Sequence, residues 1–141
     1  MKNALKEALR WFLQAKDDWL FVQWIYREGV FFDKGCFIAQ QAGEKALKAC
    51  LYGMGERYVL GHSLFELMER LKEVDPSFGE IADAARRLDR FYIPTRYPNG
   101  LPGGSPFQVF TAEDLRQALL DAGSILDLCA RFLKRQGLPS L

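Results

Sequence analysis

The chain predicts an all-α fold, an up-and-down antiparallel bundle of about five helices with one long Pro/Gly loop. Three observations carry that prediction. Apolar residues recur at three- and four-residue spacing in successive segments. Capping and breaking residues fall between those segments. One irregular stretch, residues 94–110, is rich in proline and glycine and has at its centre Pro98-Asn-Gly-Leu-Pro-Gly-Gly-Ser-Pro106, unsuited to helix or strand.

The first helix is expected over about residues 3–28, with Phe12, Ala15, Trp19, Val22 and Tyr26 on one face and Gly29 ending it. Trp11 and Trp24 lie off that face, either as flank packing or in a subunit interface. Asp33 is expected to cap the second helix, which ends near Gly53. Its stripe is Cys36, Ala39, Gly43, Ala46, Leu47, Cys50 and Met54, in which Gly43 and Ala46 allow a neighbouring helix to approach closely. The third helix opens at Ser63-Leu-Phe-Glu66, with capping-box spacing, and turns Leu64, Leu67, Met68 and Leu71 inward. Pro76 closes it. Ser77 is expected to open the fourth, with Ile81, Ala84, Ala85 and Leu88 inward. Thr111-Ala-Glu-Asp114 starts the last helix, which runs out at residues 135–137. Leu115, Ala118, Leu119, Ala122, Ile125, Leu126, Cys129 and Phe132 form its core face.

The chain has 141 residues, 49% of them hydrophobic, enough for one domain over 1–141 with a real core. Nineteen Lys and Arg against 18 Asp and Glu argue against a protein that coats a polyanion, and leave room for a local basic patch. No apolar run approaches the roughly 20 residues of a membrane helix. The start, Met1-Lys-Asn-Ala-Leu-Lys-Glu, is charged and amphipathic and has no secretion-signal core. Cys36 and Cys50 share one helix about 21 Å apart, too far to bond, and no Cys-x-x-Cys occurs. With one histidine in the chain, buried reduced thiols in a cytoplasmic protein are expected, and no metal site.

Chemistry concentrates in two places. In Tyr92-Ile-Pro-Thr-Arg-Tyr-Pro98 each proline pushes the residue before it, Ile93 or Tyr97, toward extended geometry. Arg96 is thereby restrained, with five donors in a planar fork suited to phosphate, and Tyr97 offers a ring for stacking and a hydroxyl. The alternative is that Arg96 pairs with a carboxylate such as Glu44 and anchors the loop while Tyr97 packs on the bundle. On the second helix Gln41, Lys45 and Lys48 share a face, and Gln40, Glu44 and Lys48 share its edge. Two amines a turn apart suit phosphate, and an amide suits a base or ribose. The alternative is a solvated face with a Glu–Lys pair.

His62, just before the Ser63 cap, is read as a helix-entry residue bonding local backbone. Asp17 and Asp18 point to different helix faces, as surface charges do. Gly100, Gly103 and Gly104 follow no strand and form no phosphate loop. No catalytic residue and no cofactor is assigned.

Three blocks, Cys36-Phe-x-Ala-Gln-Gln-Ala-x-Glu-Lys-Ala-Leu-Lys-Ala49, Gly61-His-Ser-Leu64 and Leu88-Asp-x-x-Tyr-Ile-Pro-Thr-Arg-Tyr-Pro98, resemble in order and spacing the HEPN domain (higher eukaryotes and prokaryotes nucleotide-binding). The resemblance implies a helical bundle, often a homodimer, found mostly in bacteria and archaea and paired with a minimal nucleotidyltransferase in a toxin–antitoxin-like system. Many members are metal-independent ribonucleases with Arg-x4–6-His near the start of a late helix. Here Arg96 is followed at that distance by Leu101, Pro102 and Gly103. Arg57 and His62 have the right spacing, but they precede the third helix and are read as coincidence.

The Thr-Arg-Tyr-Pro form therefore implies nucleotide or RNA binding. Arg96 would clamp phosphate and Tyr97 would stack or donate. Lys45 and Lys48 would supply charge, and Gln41 and Glu44 would orient the ligand or Arg96. The alternatives are a ribonuclease using Arg96 with Tyr97, and an interaction module with no ligand of its own. A tyrosine near Arg96 as a nucleotidylation target of the partner is a further possibility. Phe31, Phe32 and Trp24 are candidates for the dimer surface.

Overall fold

The computed structural model describes residues 2–139 and 141; Met1, which begins the charged amino-terminal stretch, and Ser140 lie outside the described residues. Six helices form, and no strand occurs among the described residues: α1 (Lys2–Glu28), α2 (Phe32–Gly53), α3 (Leu64–Lys72), α4 (Ala82–Asp89), α5 (Pro106–Val109) and α6 (Ala112–Arg135). The expected helical bundle is what forms. α2 lies at its centre, packed on α1, α6, α3, α4 and α5. No helix of the described chain is long and apolar enough to cross a membrane.

The spacing rules select the core well. Ala39, Ala46, Leu47 and Cys50 of α2, with Leu115, Ala118, Ala122, Ile125 and Cys129 of α6, are fully buried. At Gly43 a methyl group would sit 2.5 Å from Leu64, so the missing side chain is what lets α3 lie against α2. The inward stripe of α1 is Ala8, Phe12, Ala15, Val22 and Ile25, whereas Tyr26 and Met54 stand at the edge of the core, more than a third exposed. Cys36, Cys50 and Cys129 are buried free thiols, and burial, then Asp114 and Asp33, pushes Cys36 up to about 12. Such a thiol is almost wholly protonated at neutral pH and unreactive.

Three local expectations are corrected. Asp33 does not cap α2: the helix begins one residue earlier, the cap position is Phe31 with left-handed φ 52° and ψ 49°, and Asp33 sits buried in the first turn. Ser77 does not open the fourth helix. Asp75 caps a 3-10 turn over Pro76–Ile81, its carboxylate accepting from the Ser77 amide at 3.0 Å and from the Ser77 hydroxyl at 2.7 Å, and α4 follows. Proline at the first position of that turn needs no amide partner, which makes Asp75 the cap. The long loop is also more ordered than its composition suggests. It holds a 3-10 turn at Pro98–Gly100 and the one-turn α5, closed by a reciprocal Ser105–Gln108 capping box.

Candidate functional site

The site grows from the polar edge of α2. Gln40 is fully buried; its amide nitrogen donates to the His62 carbonyl at 2.9 Å, and its oxygen accepts from Gln41 at 2.7 Å. One turn on, the Glu44 side chain is 6% exposed and accepts from Lys48 at 3.0 Å. The Nδ1 of His62 lies 3.3 and 3.4 Å from the two Glu44 oxygens, and the Gln40 and Gln41 amides approach at 3.4 Å. An ionised carboxylate only accepts, so the proton of the His62 contact sits on Nδ1. Nε2 then has no partner among the described residues.

The second block is held against the third. Asp89, at the end of α4, accepts from the Ser63 hydroxyl and the Leu64 amide at 2.7 Å and from the Phe65 amide at 3.2 Å. It therefore closes the amino end of α3 together with Ser63, which caps Glu66. This fixes His62 one residue upstream. Its ring stacks on Tyr92 with centroids 4.7 Å apart and planes 18° from parallel.

Beyond α4 the chain continues as turns through residue 96, secured by the Thr95 hydroxyl donating to the Phe91 carbonyl. Arg96 Nε donates to the Tyr92 carbonyl at 2.7 Å. Its guanidinium lies over three rings: Tyr92 at 4.5 Å, Phe37 of α2 at 4.6 Å and Tyr97 at 5.2 Å. Its terminal nitrogens have no hydrogen-bond partner among the described residues. Tyr97 is extended at φ −130°, ψ 131°, as a residue before proline is expected to be, and half exposed.

The structure therefore brings together Gln41, Glu44, Arg96 and Tyr97 with four residues that sequence reasoning missed as site members: Phe37, Gln40, His62 and Tyr92. Arg96 folds back onto α2 through Phe37 and makes no pair with Glu44. The contacts of His62 are not the local backbone bonds expected: its carbonyl accepts from Gln40, 22 residues earlier, and its ring faces Glu44 and Tyr92 across the fold. Neither lysine lines the hollow beside Arg96. Lys48 is buried on Glu44, its amine 5.8 Å from the Trp11 ring, and Lys45 pairs with Asp18 of α1 at 2.5 Å. Lys45 instead lines a separate hollow with Glu7, Arg10 and Trp11. Contact across the fold, which spacing along the chain does not report, made this selection. No group of metal-ligating side chains occurs among the described residues.

The geometry joins the three blocks that carried the family resemblance into one cluster. The family profile of the HEPN domain matches residues 8–133. This is an HEPN-family protein. Solved structures agree with that membership. TT1696 from Thermus thermophilus is 34% identical over 92% of this HEPN chain and 98% of its own, with a TM-score of 0.79. ST0689, described as an archaeal HEPN homologue, is 28% identical over 90% and 98%, with a TM-score of 0.74. An HEPN domain protein from Thermotoga maritima is 28% identical over 89% and 98%, with a TM-score of 0.71. No curated protein matches the chain.

Proposed function

We propose that this HEPN protein binds a nucleotide or RNA through the face made by His62, Tyr92, Arg96 and Tyr97. We propose further that it acts in the cytoplasm as a homodimer alongside a minimal nucleotidyltransferase in a toxin–antitoxin-like pair. The observation that carries the binding reading is Arg96. Its guanidinium is held among three rings and by one backbone bond, and its terminal nitrogens are left open to a phosphate. Gln40, Gln41 and Glu44 support it by orienting His62. Lys48 neutralises Glu44 from behind, and Lys45 ties α2 to α1.

The test is a fluorescence titration of labelled RNA and nucleotides. Arg96→Ala should weaken binding at least about tenfold, as loss of a charge-assisted phosphate contact does. Equal affinity in the two proteins would remove the reading. Co-expression with the adjacent gene product tests the partner, and a nucleotidyltransferase that fails to co-purify counts against the pairing.

One observation favours a second reading, RNA cleavage without metal. The contact with Glu44 leaves the His62 Nε2 open to act as a base, and Arg96 shares the same tyrosine ring. Nε2 would take the proton of a ribose 2′-hydroxyl as its oxygen attacks the adjacent phosphorus; the 5′-oxygen leaves, taking a proton from water to become a 5′-hydroxyl, and a 2′,3′-cyclic phosphate remains. Cleavage of transfer RNA in chelator by the native protein, abolished in His62→Asn, would select this reading over binding alone. Intact RNA after hours would end it.

A further inference from the structure

Beside Arg96, a hollow of about 380 Å³ whose lining does not include His62 lies between the first turns of α2, the turn at residues 95–98 and α5. Phe37, Arg96, Pro98, Pro106 and Phe107 line it together with Asp33 and Lys34. Phe107 is the unexplained member. It is 69% exposed, yet its mount is rigid. Pro106 is buried, the Ser105–Gln108 box closes the single turn of α5, and Phe110 anchors the end by meeting Phe91 edge-on at 5.8 Å. An exposed ring on a fixed support loses little conformational freedom when something stacks on it.

The charges narrow what that something is. Lys34 is bonded to the buried Asp33 at 3.0 Å, so that pair is internally neutral. Arg96 is then the one cation of the lining without a carboxylate partner among the described residues. One open guanidinium matches one phosphate. A triphosphate would bring several more negative charges to a lining whose other charges, Lys34 and Asp33, already neutralise each other. The volume falls at the small end of ligand sites, which run from about 300 to 1,000 Å³. Paired bases keep their faces inside the duplex stack and cannot offer them to Phe107 or Phe37.

We infer that this hollow takes a single unpaired nucleoside monophosphate unit, with its base on Phe107 and Phe37 and its phosphate on Arg96. The inference rests on the reading that the Arg96 face binds nucleotides, and it adds the base site and the ligand class. A free monophosphate and an unpaired residue within an RNA strand present the same chemistry.

The test is anisotropy of a short end-labelled single-stranded RNA on the full chain, competed by uridine and adenosine monophosphates, by ATP and by an RNA hairpin stem. Native protein, Phe107→Ala, Phe107→Trp and Arg96→Ala are compared. The strand should bind, ATP and the stem should compete at least about tenfold less well, Phe107→Ala should lose about tenfold and Phe107→Trp should retain affinity. Competition by monophosphates identifies the free nucleotide as the source, and binding of the strand alone identifies RNA; either supports the site. Native affinity in Phe107→Ala beside loss in Arg96→Ala overturns the base site and leaves nucleotide binding standing. Equal competition by ATP or the stem overturns the ligand class. Absence of any binding to the native protein removes both readings.

Discussion

Glu44 accepts from Lys48, His62 and two glutamines while almost out of contact with water. Burying two charges is costly, and the ion pair compensates only while both partners are present. Glu44→Gln should therefore destabilise the fold by about 3 kcal/mol, because it leaves the Lys48 ammonium, 7% exposed, without a counter-charge. Adding Lys48→Met should restore most of that loss. Urea denaturation midpoints check both, and a silent single variant would show that the pair contributes nothing. The same residue shows how sequence reading reached half the site. Helical spacing put Gln41, Glu44 and Lys48 on adjoining lines of α2, but it carried no information on which neighbour each would meet. His62 reads in sequence only as a helix-entry residue, because its partners, Glu44 and Tyr92, lie 18 residues before it and 30 after. Ring-on-ring contacts such as His62 on Tyr92 leave no periodic trace.

Among the elements, the short 3-10 turn over Pro76–Ile81 shows a cap at work. The Ser77 hydroxyl and amide, and then Arg135, hold the Asp75 carboxyl below its ordinary value of 3.8. A carboxyl whose folded value is depressed contributes stability that is present above the unfolded value and lost as pH falls through the folded one. Asp75→Ala should thus cost about 1 kcal/mol at neutral pH, and the difference from native protein should shrink as pH drops below about 3.8. Thermal unfolding across an acid pH series measures it; a gap that widens with acid would refute the assignment. Helix interiors were legible because burial imposes a period. Ends were less so. Asp75, Pro76 and Ser77 are all turn formers, and only the hydrogen bonds decide among them. In the loop, glycine and proline marked the breaks, yet the Ser105–Gln108 box that orders α5 went unread between them.

At the scale of the whole molecule, α1 carries apolar surface that the bundle does not cover. Leu13, Leu20, Phe21 and Trp24 are each 46–50% exposed, and the rings of Phe21 and Trp24 stack at 6.4 Å. A patch of this kind marks an interaction surface, and it supports the proposed homodimer. Leu20→Glu should convert the dimer to monomer with little effect on unfolding, because the side chain lies outside the core. Light scattering or sedimentation reads the mass directly, and a native protein that is monomeric at all concentrations would refute the dimer. The bundle itself was legible from its stripes. The hollow beside Arg96 was not, since it needs α2, the turn at residues 95–98 and α5 to be placed in three dimensions.

The backbone at Phe31 has a consequence for protein engineering. A bulky residue in left-handed geometry sits about 1–2 kcal/mol above glycine. Replacing it by alanine removes the ring but keeps most of that penalty, whereas glycine removes both. The pair of substitutions thus separates what the hairpin tip gains from its benzyl group from what it concedes to chirality. A glycine variant that outlasts its parent on heating would identify the α1–α2 junction as the place to begin stabilising this protein.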